Sequence, residues 1–428
     1  MEVTLGIVLL LVLIAVGWPV GFAIGIAGAI SLLMLVGPDI TLGLMSQVVH
    51  HATANYVILT IPTFILMAEL LSASGIAEDL MVAFNRRFKQ LRGGLATACI
   101  MAGSVFAAAC GSSTAAVASL SRSAYPTMKK LGYDEGFSVA IISITGTLSI
   151  LIPPSIALVV YGIITEESVG KLFLAGVIPG ILTAIGYILT VYLTIAFRPK
   201  LVPPVTKSVD NVPVAEPKGR VWPIGILIVV VLGGLYSGVA TPTEVGALGA
   251  VAAFLICLGM RRMSFSGFKL ATGNTLKNTA MIVTIIFGAL IFGHFITMTQ
   301  VIPSLLAWIS EGGYSPLTVL FFVVVFYIIL GMFMDQFAIL LLTVPITYGL
   351  LTGLGFDGIW IGVLIVKTAE IGLITPPMGL NVFIASGATG VNTKRVFARS
   401  LPFVITEILL IGLFVAFPDL VMWLPNQM

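Results

Sequence analysis

Two short clusters of oxygen-bearing side chains stand out in a chain otherwise made of apolar residues. Gly111, Ser112, Ser113 and Thr114 follow one another in ACGSSTAA, and Asp335 and Gln336 adjoin in GMFMDQF. Hydroxyls can ligate a cation, and the N-terminus of a following helix attracts a carboxylate through its unpaired N–H groups. A carboxylate at membrane depth is expensive unless it meets water or a cation. Two Pro-Pro pairs, Pro153-Pro154 and Pro376-Pro377, add backbone oxygens, because proline has no N–H and leaves carbonyls one turn earlier unpaired. Hydroxyls, carbonyls and one carboxylate form an all-oxygen environment that suits a hard ion such as Na⁺ better than a transition metal. A structural reading competes: Ser and Thr in membrane helices also bond to the preceding turn or allow close packing.

Other polar residues lie in the same apolar runs. Lys367 and Glu370 share one helical face just before the second Pro pair, and Asn381 follows it. They form either a mutual ion pair that holds the helix or part of a substrate path. Glu69 and His294 are also embedded and read as structural. None of His50, His51 and His294 has a carboxylate at ligand spacing, so an intramembrane enzyme is disfavoured and no catalytic residue is expected. Cys99, Cys110 and Cys257 sit in apolar stretches and read as buried small residues.

The elements that must position these groups follow from composition. Of 428 residues, 58% are hydrophobic and 9% charged, with a net charge of +3 and a mean hydropathy of +1.13. An ordinary soluble domain carries about 25% charged residues. A soluble enzyme, a disordered chain and a nucleic-acid binder are therefore excluded, and a helical protein of the lipid bilayer remains. Candidate spans lie near 3–16, 20–37, 56–74, 93–128, 137–164, 172–197, 222–238, 243–260, 279–299, 315–352, 357–387 and 400–424. The first lacks the basic start and A-x-A site of a signal peptide, so it reads as a mature span. Residues 198–221, rich in Pro and charge, read as a cytoplasmic linker. The stretches 77–91 and 261–278 mix apolar and basic residues and read as interfacial helices.

Displacing the chain against itself by 223 residues pairs Pro19 with Pro242, both Pro-Pro pairs with each other, and Pro179 with Pro402. Around them LSILIPPSIALVV matches IGLITPPMGLNVF. Basic loops lack basic counterparts: Arg86, Arg87, Lys89 and Arg92 map onto 309–315, and Arg122, Lys129 and Lys130 onto 345–353, both free of Lys and Arg. The basic 261–277 maps onto 38–54, again with none, while Lys394, Arg395 and Arg399 map onto a loop whose only base is Lys171. This is the pattern of two halves inserted with opposite orientation, 1–197 and 222–428, with basic loops in the cytoplasm and both termini outside. The runs 93–128 and 315–352 are then re-entrant hairpins with tips near Gly111 and Asp335. The runs 137–164 and 357–387 are helices broken at their Pro pairs, since irregular backbone at membrane depth persists only where it lines a cavity or binds something.

Several strings, in this order, resemble the large membrane subunit of tripartite ATP-independent periplasmic (TRAP) transporters: RGGLATACIMAGSVFAAACGSSTAAVAS, MKKLGYDEGFSVAI, ILIPPSIALVVYGIITEESVGKLFLAGVIPG, YSGVATPTEVGALGA, GMFMDQFAILLLTVPI and EIGLITPPMGLNVF. The resemblance runs almost the whole chain. It implies an all-α polytopic inverted-repeat ion-transporter fold of the elevator type in the bacterial inner membrane, with Na⁺ as coupling ion. It implies two partners, a small membrane subunit of about four helices and a periplasmic substrate-binding protein. The cargo would be an organic anion, a C4-dicarboxylate or a sialic or sugar acid. Carried over by motif, Na⁺ ligands come from Ala109 and Ser112, from Gly331 and Asp335, and from Gly372, Thr375 and Met378, with Ser149 and Ile152 at the positions the repeat pairs with Gly372 and Thr375. Ser113, Thr114, Lys367, Glu370 and Asn381 are the candidate substrate contacts. A stand-alone Na⁺-coupled dicarboxylate carrier of the related ion-transporter type is the alternative.

Overall fold

The computed structural model of the protein describes residues 2–204 and 219–427, so most of the expected linker at 198–221 lies outside the described residues. The described secondary structure is helical throughout, with no strand among the described residues. The first half runs α1 (Glu2–Ala15), α2 (Val20–Val36), α3 (Pro38–Ala54), α4 (Thr60–Ala73), α5 (Ile76–Phe88), α6 (Gly94–Cys110), α7 (Ser113–Ser123), α8 (Tyr125–Lys130), α9 (Glu135–Leu151), α10 (Ile156–Thr165) and α11 (Val169–Phe197). The second runs α12 (Trp222–Ile228), α13 (Gly234–Tyr236), α14 (Pro242–Gly259), α15 (Phe265–Met298), α16 (Val301–Glu311), α17 (Pro316–Gly331), α18 (Gln336–Gly353), α19 (Gly358–Leu373), α20 (Leu380–Thr389), α21 (Thr393–Ala416) and α22 (Asp419–Met422).

Displaced by 223 residues, α2 falls on α14, α6 on α17, α9 on α19, α10 on α20 and α11 on α21 within a residue or two at their starts. One departure from this rule shapes the helices α4 and α15. The first half breaks between α3 and α4, whereas the stretch 261–278, expected as an interfacial helix, runs mostly into the continuous α15. The cause is local. Pro62 sits in the first turn of α4, where its missing N–H is tolerated, and a helix running through from α3 would set its ring against the preceding turn. The counterpart position is Ile285, which imposes no such break.

Six helices, among the described residues, are long and apolar enough to cross a membrane, or seven if α9 and α10, bent by 40°, count as one span. α15 packs along α2, and α14 along α4. Glycines make the first contact close: a Cβ on Gly28 would stand 2.8 Å from the backbone N of Phe292, and one on Gly21 3.0 Å from the backbone of Ile285. The remaining long elements interlock between halves, with α7 against α9 and α20, and α18 against α10 and α19. The site lies between these two groups of helices.

Candidate functional site

The first tip is a turn held against the first proline break. α6 ends on Gly111, whose φ of +59° is the left-handed conformation that glycine adopts without penalty. A Cβ there would lie 2.8 Å from the carbonyl oxygen of Pro154, so tip and break touch backbone to backbone. Ser112 then takes extended backbone and becomes the N-cap residue of α7. Its hydroxyl lies 3.2 Å from that of Thr114 and makes no capping bond. Apart from Thr114, no protein group among the described residues claims it.

The second tip is built on the same plan with different chemistry. Asp335 is the N-cap of α18, and its Oδ1 accepts from the N–H groups of Phe337 at 2.9 Å and Ala338 at 3.2 Å. The carboxylate is thus fixed at the positive end of a helix. Behind it Gly331 and Gly372 face each other across α17 and α19. A Cβ on either would collide with the other's backbone or, for Gly331, also with the carbonyl of Ala369. Two glycines, one at each helix end, let the end of α17 approach the end of α19, just before the Pro376-Pro377 break, backbone to backbone.

Both tips open on one cavity of about 530 Å³. Ser112, Ser113 and Thr114 line it from the first tip, Asp335 and Gln336 from the second, and Ile156 and Leu373 from beside the breaks. The opposite wall comes from α4 and α15, through Ile65, Ala68, Glu69, Asn278, Met281 and Ile282. The Glu69 Oε2 accepts from the Asn274 amide at 2.9 Å. A space of this size, largely apolar with a few convergent polar groups, has the dimensions and lining that small-molecule sites share.

Residues 7–420 match the family model described as "Tripartite ATP-independent periplasmic transporter, DctM component". The chain belongs to this family. The C4-dicarboxylate TRAP transporter large permease protein DctM of Pseudomonas aeruginosa is 37% identical to it over 94% of each chain. The protein of the same name from Vibrio cholerae is 33% identical over 100% of this chain and 98% of its own. Among solved structures, the Alcanivorax borkumensis YdaH transporter shares the fold, with a TM-score of 0.67 over 88% of each chain at 14% identity. This TRAP large permease is accordingly a multi-pass inner-membrane protein, the translocating subunit of a transporter rather than an enzyme, and it works with a small subunit and a periplasmic binding protein.

The TRAP permease brings some expected site residues together and not others. Ser112, Ser113, Thr114 and Asp335 line the cavity. Ala109, Gly331, Gly372 and Ser149 sit in the last turns of the helices that lead to the tips and breaks, Ile152 just after one, and none of the five is among the cavity-lining residues. Thr375 is half-buried and spends its hydroxyl on the Ile371 carbonyl at 2.5 Å, while Met378 is exposed. Lys367, Glu370 and Asn381 are buried and are not among the cavity-lining residues.

Of the two readings open for Lys367 and Glu370, the mutual ion pair gives way to another partner for the lysine. Lys367 Nζ lies 2.5 Å from Glu407 Oε2 and 2.9 Å from Thr183 Oγ1. Glu407 also accepts from the Tyr187 hydroxyl, which in turn meets Thr147 at 2.7 Å. α9, α11, α19 and α21 are thereby tied through one buried polar chain, and Lys367 reaches across helices instead of along its own. Sequence reasoning missed Glu407, although a lone carboxylate inside the apolar run of α21 is itself a signal. It also read Glu69 as structural, where the fold puts it on the cavity wall beside Asn278.

Proposed function

We propose that this TRAP large permease imports an organic anion, a C4-dicarboxylate in the first instance, by coupling its movement to Na⁺. The observation that carries the reading is the shared cavity, with a hydroxyl-bearing tip and a carboxylate-bearing tip meeting one space from two helix N-termini. One Na⁺ is held by Ser112 with backbone oxygens of Ala109, Ser149 and Ile152. A second is held by Asp335 with those of Gly331, Gly372, Thr375 and Met378. Ser113 and Thr114 bind the substrate carboxylate at the start of α7. Two cations and two helix dipoles offset the charge of the anion, which makes its enclosure in a low-dielectric site tolerable.

In this reading the halves are inverted repeats, α6–α7 and α17–α18 are re-entrant hairpins, and the basic loops lie in the cytoplasm. The hairpins and broken helices move as one body against a scaffold that contains α2, α4, α14 and α15, and a four-helix small subunit braces that scaffold. The Lys367–Glu407 chain keeps the moving body rigid. The names of the two relatives support a C4-dicarboxylate as cargo. Uptake of labelled succinate into proteoliposomes holding the large and small subunits, supplied with the binding protein, tests the proposal. Accumulation driven by an inward Na⁺ gradient is expected, and equal uptake without the gradient rejects the coupling.

A further inference from the structure

The charges around the cavity are one-sided. Among its lining residues the only charged side chains are Glu69 and Asp335, with no Lys, Arg or His. The proposed function neutralises Asp335 with Na⁺ and leaves Glu69 on the opposite wall unaccounted for. That carboxylate is held in place, since Asn274 donates to its Oε2 at 2.9 Å, yet Oε1 receives no protein donor among the described residues. Gln336 lines the same space as a further acceptor-bearing side chain; it is 6% exposed and its Oε1, itself buried, has no hydrogen-bond partner. Glu69 is half-buried, so its Oε1 is reachable from the cavity; a ligand that fills the space strips water from that oxygen, and one that supplies a donor avoids the cost.

An unsubstituted dicarboxylate cannot supply them. Fully ionised, it brings only acceptor oxygens, and against Glu69 these are repelled. A hydroxyl or an ammonium on the carbon chain supplies the missing N–H or O–H. We infer that Glu69 is a specificity-determining residue that selects, among organic acids, those carrying a hydroxyl or ammonium donor beside their carboxylates. The inference rests on the cavity being the substrate site. Selection by a positioned acceptor is strong because the wrong ligand covers Oε1 without giving it a donor.

Isothermal titration of the purified complex of large and small subunits in Na⁺ buffer, with succinate, L-malate and L-aspartate as probes, tests this on a constant four-carbon frame. L-malate and L-aspartate are expected to bind at least about tenfold tighter than succinate. Glu69→Gln, which can keep the Asn274 contact, is expected to bring the three within about threefold. The wild-type comparison stands even where the variant fails to fold. Succinate binding as tightly as the other two overturns the selectivity; if Asp335→Asn then weakens succinate binding, the cavity as substrate site survives. Binding of none of the three overturns the selectivity and the substrate reading together.

Discussion

Ser112 and Asp335 face the same cavity as N-cap residues of α7 and α18, at positions 223 residues apart that correspond in the two halves of the chain. The two caps differ in what they leave available. Asp335 spends one oxygen on its own helix, whereas Ser112 makes no capping bond. One site scaffold has thus been given a carboxylate on one side and a hydroxyl on the other.

The contact of Gly331 with Gly372 leaves no room for a methyl group. Gly372→Ala is expected to destabilise the protein by roughly 1–3 kcal/mol, because backbone must move to admit the new atom. Thermal unfolding of the detergent-solubilised complex checks this. An unchanged melting temperature removes the close approach from the account of how the second tip is seated.

The buried Lys367–Glu407 pair gives a different signature. Removing one partner leaves an uncompensated charge, so Lys367→Met or Glu407→Gln alone is expected to cost about 3–5 kcal/mol. Lys367→Met combined with Glu407→Leu is expected to be milder than Lys367→Met, because neither member of the pair is left without the other. Yields and melting temperatures of the single and double variants measure the coupling, and strictly additive effects argue against it.

Asp134, which caps α9 outside the membrane-spanning part of the helix, provides the pH dependence. Burial raises the pKa of its carboxyl, but the Arg395 guanidinium at 2.6 Å, the Phe137 N–H and the nearby Arg399 outweigh this and hold it below the usual 3.8. A carboxyl with a depressed folded pKa contributes its full stability above the unfolded value and loses it as pH falls through the folded one. Asp134→Asn is therefore expected to cost about 1 kcal/mol equally at pH 7 and pH 5. The difference from wild type shrinks only below pH 3.8. A difference that already vanishes by pH 5 contradicts this placement of the charge.

Opposite insertion of the halves predicts opposite labelling. All three native cysteines are buried, so single introduced cysteines report cleanly. In whole cells, Tyr314→Cys is expected to react with an impermeant maleimide, and Lys130→Cys only after the membrane is opened. Reaction of both from the same side dissolves the inverted arrangement.

These expectations show where sequence suffices. The tips and breaks were readable because proline and clustered hydroxyls are conspicuous in apolar runs, and their chemistry is local. α3 was not readable as a helix of its own, since the polar HHATAN at 50–55 breaks the apolar run that marks a span. The continuity of α15 turned on the absence of a single proline. The partner of Lys367 and the cavity-facing place of Glu69 depend on which helices pack together, and that information is distributed over the whole fold.

Na⁺-dependent stabilisation of the purified complex tests the central claim most directly, because an ion that binds only the folded site raises the melting temperature with its concentration. The melting temperature is expected to rise with Na⁺ and not with K⁺, and both Ser112→Ala and Asp335→Asn are expected to need roughly tenfold more Na⁺ for the same rise. Superimposable Na⁺ titrations of wild type and both variants would contradict a cation held between the two tips.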